Sequence, residues 1–400
     1  MPRPGLTILR AVGTALGLLL LLLAVPLAAN DPTAQGWDHF YNLEYPQAIA
    51  SFEQAIAASP EDPSPHNFLA QSILYQELYR LGALESEILT GNNYFIRTEK
   101  IRPDRAAEER FRSAVDKAIQ LAQARLKANP NDETALYALG SSYAMQTNYD
   151  FMVQKAWRSA VSDISQARKY HNRVVELDPQ HYDAMLTQGV YDYALGSLPW
   201  HARLLSFLIG RYGDKNRGIQ TIELVARQGK RNRVDAQVML AIIYRRERRP
   251  AKAVQALDPL IQAYPRNYLF RMEKAHMYSD LGNKEEALKI LREVEQMALR
   301  GGPAYSKIPL EKVYYAIGDV QFWYNDLDRA LENMRRVTRY PELDLHTGVL
   351  AWMRLGQIFD LTQRRAEAVR AYKQAIQFAP QTDAAQESRR YLSSPYRRKG

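Results

Sequence analysis

The chain has 400 residues, more than a single hydrophobic core usually holds, so several domains or a stacked repeat array are expected. Charged residues make up 24% of it and Gly and Pro number 20 each, the composition of a folded body. Lys and Arg total 53 against 44 Asp and Glu, a net charge of +9 that favours acidic partners or anionic surfaces; with no cysteine, disulfides, thiol catalysis, cysteine-type zinc sites and a lipid-modified N-terminal cysteine are excluded.

Arg3 and Arg10 precede a mostly apolar run from Ala11 to Ala29, broken by Pro26 and ending in Ala28-Ala29 before polar Asn30-Asp31. A positive start, an apolar middle and small residues before a polar start describe a secretory signal peptide over residues 1–29. An uncleaved anchor fits as well, since about 20 apolar residues can span a bilayer. Both readings export the body: periplasmic or secreted after cleavage, or held at the inner membrane through residues 11–29.

Beyond residue 30 the pattern is helical nearly throughout, with no alternating Val/Ile/Thr-rich runs to suggest a sheet. Ala48, Phe52, Ala55 and Pro60 mark the second helix of a first pair, with Pro63 and Pro65 in the turn after it. A long helix is expected over about Asn67 to Leu89, then a loop at about 90–104 carrying Gly91-Asn92-Asn93 and Pro103. Helix resumes through Ala118, Ala122 and Leu126 to Pro130. A third pair opens at Leu136, Leu139-Gly140 and Tyr143; its second helix, with Ala167, His171, Val174 and Pro179, arrives late, implying an insertion near 147–165. A fourth opens at Met185 and Gly189, is interrupted over 195–214, and resumes at Gly218, Ile222 and Val225.

From 234 to 380 the register is steady. Leu240-Ala241, Tyr244, Ala253, Leu257, Leu260 and Pro265 make a fifth unit, and Ala275, Tyr278, Gly282, Ala287, Leu291 and Val294 a sixth. Ile317-Gly318, Phe322, Ala330, Met334 and Val337 make a seventh. The eighth is the clearest, with Trp352, Leu355-Gly356, Phe359, Ala368, Tyr372, Ala375 and Pro380. Gly356 and Ala368 are small where two antiparallel helices approach, Phe359 and Tyr372 fill the space between them, and Pro380 stops the second helix. A polar helix at 381–393 closes the array as a solvating cap.

That order of aromatic, Leu-Gly, aromatic, small residue and closing Pro over about 34 residues resembles the tetratricopeptide signature. The resemblance implies an all-α, right-handed superhelical solenoid of about eight helix pairs, two or three with insertions, and a C-terminal capping helix, as one body over 30–400. It also implies a concave face built from the first helix of each pair. The candidate groove residues there are Asp235, Ile242, Arg245, His276, Tyr315, Asp319, Phe322, Met353 and Gln357. The superfamily's Lys/Asn clamp for a peptide carboxylate is not reproduced, because Ile242, His276, Asp319 and Gln357 stand at the clamp-like positions.

The interrupted fourth unit is the less ordinary region. Gly189-Val190-Tyr191, Leu198-Pro199-Trp200, Leu204 to Gly210 and Gly213-Asp214 to Gly218 form a series that resembles the insert of the eukaryotic tetratricopeptide repeat protein 39 family. That implies a shared architecture and little chemistry. Trp200 to Ile209 reads either as a short helix plugging the inner surface or as an exposed hairpin that touches a membrane or partner. From residue 201 to 250, twelve Lys or Arg stand against four Asp or Glu. The candidate contact residues are therefore Trp200, Leu204, Phe207, Arg211, Arg217, Arg231, Arg233, Arg246, Arg248 and Arg249.

No HExxH, phosphate-binding glycine loop or nucleophile elbow occurs, and His171 sits at an inward repeat position as a core histidine. The expectation is a non-catalytic interaction scaffold with no cofactor and a protein or peptide ligand. Docking on an anionic membrane surface is the alternative, each near-surface Lys or Arg adding about 1 kcal/mol. No nucleic acid is expected as a partner of an exported protein.

Overall fold

Helix starts are written as short polar side chains that accept hydrogen bonds from first-turn amides. Asp31 caps α1 (Pro32–Tyr41), Asp62 caps α3 (Pro63–Arg80), Asp104 caps α4 (Arg105–Ala128) and Asp132 caps α5 (Glu133–Tyr149), while α2 (Tyr45–Ala58) starts on a proline at its second position. These belong to a computed structural model that describes residues 31–84, 104–208, 210, 212–302, 305 and 308–398. The expected signal segment at 1–29 and nearly all of the loop at 90–104 lie outside those residues.

After α6 (Trp157–Leu177) come α7 (Met185–Gly196), α8 (Trp200–Leu208) and α9 (Lys215–Gln228). Then α10 (Arg233–Arg246) with α11 (Pro250–Ala263), α12 (Tyr268–Asp280) with α13 (Lys284–Arg300), and α14 (Leu310–Trp323) with α15 (Leu327–Val337) follow as antiparallel pairs. Finally α16 (Leu345–Leu361) pairs with α17 (Arg365–Phe378), and α18 (Asp383–Ser393), capped by Thr382, lies against both. Among the described residues the architecture is all-α, a superhelical stack of helix pairs with a terminal cap.

One turn geometry recurs inside the pairs. Leu43, Gly82, Arg248, Gly282, Asn325 and Gln363 each take a positive φ two residues after a first helix ends. The next amide donates back five residues, as in Glu44 to the His39 carbonyl at 2.9 Å, Arg249 to Tyr244 at 2.8 Å and Arg364 to Phe359 at 2.7 Å. This satisfies last-turn carbonyls that would otherwise be orphaned, and it reverses the chain in a few residues. Second helices are stopped from outside by Pro60, Pro130, Pro179, Pro265 and Pro380, each two residues past a helix end.

The irregular units differ in part from expectation. The helix expected over Asn67 to Leu89 ends at Arg80, where Gly82 turns the chain. The insertion expected at 147–165 is mostly helix: α5 runs into a π turn at Asp150–Gln154, Lys155 breaks it with φ +54°, and α6 starts at Trp157. The delay is taken up by longer helices, because Tyr149 and Val153 bury against Phe111 and Val115 of α4 and keep the extra turn in the core. In the fourth unit α7 packs directly on α9 and α8 is a detour between them. The backbones of α7 and α9 approach so closely that a Cβ on Gly218 would stand 2.4 Å from the Tyr193 amide nitrogen. Past the cap, the Tyr396 amide donates to Asp360 at 2.8 Å and Arg365 donates to the Tyr391 and Leu392 carbonyls, tying the tail to the last pair.

Candidate functional site

The first helix pair reaches across the superhelix and binds the middle of the chain. Arg266, in the turn before α12, donates to Glu44 at 2.8 Å and to Asp38 at 2.7 Å, while the Asn267 amide side chain donates to the Tyr41 carbonyl at 2.8 Å. The rings of Tyr41 and Tyr264 lie 4.9 Å apart, and Leu43 and Tyr79 pack against the cluster formed by Tyr268, Ile308 and Val313.

At the centre of this closure is Arg231. Its guanidinium carbon sits 3.1 Å from the Trp37 ring centroid; Nη1 donates to the Tyr41 hydroxyl at 2.9 Å and to Asp235 at 3.2 Å, and Nη2 to Gln71 at 3.3 Å. The Tyr41 hydroxyl in turn donates to the other Asp235 oxygen at 2.9 Å. Burial pushes the Tyr41 hydroxyl well above its usual pKa, so it stays a donor.

Closure turns the concave groove into a chamber of about 610 Å³. Its wall is drawn from every pair, with Phe40 and Phe68 from the start of the chain, Met145 and Phe151 from the third unit, Met239 and Ile242 from α10, and Tyr315 and His346 from the end. Polar groups in the wall are largely engaged with one another. Asn67 donates to the Ala138 carbonyl at 2.8 Å and accepts from Ser142, and His171 bridges the Thr187 hydroxyl at 2.7 Å and the Tyr137 carbonyl at 3.2 Å. Burial drives the His171 pKa down to about 4, the neutral core histidine that its repeat position implied.

Of the nine groove candidates the structure brings Asp235, Ile242, His276 and Tyr315 to the chamber wall. The other five do not face a groove. Phe322 and Met353 are core residues of the last two pairs, because α14 and α16 pack there on each other and on their partners. The buried Arg354 forms an ion pair with Asp319 at 2.6 Å and donates to Gln357 at 2.6 Å, and that cation stacks 4.2 Å from Phe322. Arg245 pairs with Glu273 at 2.6 Å.

The contact candidates also separate. Trp200, Leu204 and Leu208 are exposed along one face of α8, at 74%, 53% and 71%, so the reading of this segment as an internal plug is overturned for these three side chains. The Phe207 side chain and Arg211 lie outside the described residues. Much of the basic run is neutralised within the fold: Arg217 forks onto buried Asp192 at 2.9 Å, Lys215 meets Glu247 at 2.7 Å, and Arg231 is internal. Arg233, Arg246, Arg248 and Arg249 stay exposed, with Arg246 at the chamber's edge, its guanidinium 5.9 Å from the Tyr193 ring. The closure residues Trp37, Tyr41, Asn42, Glu44 and Arg266 carried no sequence signal of their own. The one hint was an aromatic concentration in the first pair (Trp37, Phe40, Tyr41, Tyr45, Phe52), larger than one helix pair needs. Among the described residues no helix is long and apolar enough to cross a membrane.

The tetratricopeptide repeat family models match residues 33–88 and 238–303 in one case and 349–382 in another. A comparison with curated proteins found no match. Among solved structures the chain aligns with a tetratricopeptide repeat protein from Parabacteroides merdae, at 13% identity and a TM-score of 0.32 over 80% of this chain and 97% of that one. It also aligns with yeast Tom70, at 11% and 0.40 over 96% and 93%, and with human IFIT1 dimer with m7Gppp-AAAA, at 14% and 0.45 over 90% and 79%. The chain therefore carries tetratricopeptide repeats at 33–88, 238–303 and 349–382, set in a superhelical stack of helix pairs that share one turn geometry.

Proposed function

We propose that this protein is an exported, non-catalytic scaffold that recruits a polypeptide partner through α8. The observation that carries the reading is the stripe of Trp200, Leu204 and Leu208, one helical turn apart, presented to solvent on a detour the repeat itself does not need. Exposed apolar patches on otherwise well-packed proteins mark contact sites, and anchors at i, i+4 and i+8 suit a partner's groove. Docking on an anionic membrane is the weaker reading, because Arg217, Lys215, Arg231 and Arg245 are engaged by carboxylates of the same chain. Export rests on the signal-like residues 1–29, and mass spectrometry of the mature N-terminus tests it; a chain still starting at Met1 or Pro2 removes the cleaved form. The likeness of the insert to the tetratricopeptide repeat protein 39 family belongs here as a proposal of descent alone.

A photo-crosslinking amino acid at position 204 tests the recruitment. The expected result is a discrete crosslinked polypeptide that is lost when Trp200 and Leu208 are changed to Ser. Crosslinks to lipid alone, or none in the native host, would overturn it.

A further inference from the structure

The chamber poses a separate question, since none of the described side chains of α8 lines its wall. A volume of about 610 Å³ lies within the range of about 300–1,000 Å³ found for sites that enclose small molecules. Its inner surface is dominated by Phe68, Met145, Phe151, Met239, Ile242 and Phe270, and methionines let such a wall adapt to a flexible guest. A peptide would bring one amide donor and one acceptor per residue into it. Several of the wall's polar groups are already held within the protein, as with Asn67, His171 and the two Nη atoms of Arg231, so most of those amides would be buried unsatisfied. A hydrocarbon chain carries no such cost, and closed apolar cavities in proteins take up apolar guests readily.

The charges in the wall say which end-group the guest has. Arg231 is matched by Asp235, Lys312 by Asp344 at 3.5 Å, and Glu273 by Arg245. Arg246 is different: it lines the chamber, is exposed, and has no ion pair or hydrogen bond among the described residues. Its guanidinium lies beside the Tyr193 ring, at a place where a chain inside the chamber could keep its head in water. A planar guanidinium matches a carboxylate through two parallel hydrogen bonds.

We propose that the chamber binds a single-chain lipid anion, a fatty-acid-like carboxylate whose chain lies against Met239, Ile242 and Phe270 and whose head meets Arg246. The test uses the delipidated full chain and the fluorescent fatty acid cis-parinaric acid. Binding is expected to saturate at one ligand per chain. Arg246→Glu should weaken it by about tenfold or more, in line with loss of a charge-assisted contact. Ile242→Trp, which narrows the chamber from a half-buried position where the chain is proposed to lie, should weaken binding while the circular dichroism spectrum and melting temperature hold; Met239→Trp serves if that variant does not fold. Leu204→Glu with Leu208→Glu should leave binding unchanged.

Absence of saturable binding would overturn the proposal. So would binding that neither chamber-narrowing variant weakens, which would place the lipid on the N-terminal apolar segment, or binding lost in the α8 variant, which would place it on that helix. If the methyl ester binds as tightly as the acid and Arg246→Glu has no effect, the carboxylate assignment falls. These outcomes are independent of whether α8 recruits a polypeptide.

Discussion

Arg231 donates to the hydroxyl of Tyr41, 190 residues earlier in the chain, and the two share Asp235 between them. This triad, stacked under Trp37, holds the first repeat against the fifth and makes a ring of what the repeat signature alone describes as an open spiral. Arg231→Ala should cost about 1–3 kcal/mol, because it leaves the partly buried Asp235 without its cation and strips the Trp37 face of its stacking partner. Arg231→Met with Asp235→Asn should recover a good part of that loss. Urea midpoints of the single and double variants check both, and a single variant within 0.5 kcal/mol of the parent would show that the triad does not hold the closure.

The second closure contact carries a pH dependence. Burial pushes the Glu44 carboxyl up, but hydrogen bonds from Arg266 and His39 outweigh it and hold its pKa below the usual carboxylate range. A carboxyl with a lowered folded-state pKa contributes fully above its unfolded value and loses that contribution as pH falls through the folded one. Amide hydrogen exchange of α1 should therefore quicken below about pH 4.5, ahead of exchange in α16 and α17. The Glu44 side chain keeps partial access to solvent, so the effect should also shrink in high salt. Exchange rates of α1 that do not change with pH relative to α16 would count against the latch.

His171 has the opposite setting. Burial lowers its pKa from 6.5 to about 4 although the Tyr137 carbonyl favours the proton. The unfolded chain then binds a proton that the folded one refuses, so stability is full above about pH 6.5 and declines between there and about pH 4. The slope attributable to this residue approaches 1.4 kcal/mol per pH unit, roughly one proton's worth. His171→Gln should flatten that part of the curve in thermal melts taken from pH 7.5 to 4.5.

Gly356 allows no side chain. A Cβ there would stand 2.3 Å from the ring of Tyr372, which is fully buried and donates to Asp360 at 2.9 Å. Gly356→Val should cost roughly 1–3 kcal/mol through overpacking, even though valine suits a helix better than glycine does. An equilibrium denaturation midpoint at or above the parent's would refute the close-packing account.

Stability should be indifferent to the exposed stripe of α8. Leu204→Glu and Leu208→Glu together should shift the urea midpoint by less than about 0.5 kcal/mol, as surface changes do. Dispersed, monomer-sized scattering should be kept or improved. A large loss would mean the two leucines are packed against something within the chain.

The repeat frame was legible because its signals are local. A closing proline two residues past a helix and a small residue facing an aromatic at helical spacing each act over one or two turns, so Gly356, Ala368, Tyr372 and Pro380 identified a pair without reference to the remainder. The late second helix of the third unit marked an insertion without showing what form it takes. A π turn and longer helices carry the same excess length as a loop would, and only the burial of Tyr149 against Phe111 distinguishes them. Five of the nine groove candidates lie off the chamber wall because position in a repeat gives the side of a helix and not what covers that side; Phe322 and Met353 are on the right helices but face their neighbours.

The sequence by itself determined the unit, its eightfold recurrence and the cap, since each is specified by residues within about 34 positions of one another. What only the tertiary structure decided is the closure and the chamber it encloses. Arg231 with Tyr41 and Arg266 with Glu44 are single contacts between residues far apart in sequence, 190 and 222 positions, with no periodicity to announce them. They depend on the small rotation each pair adds to the last. That rotation accumulates over four repeats before the first helix meets α10 and α12, and no local pattern encodes its sum.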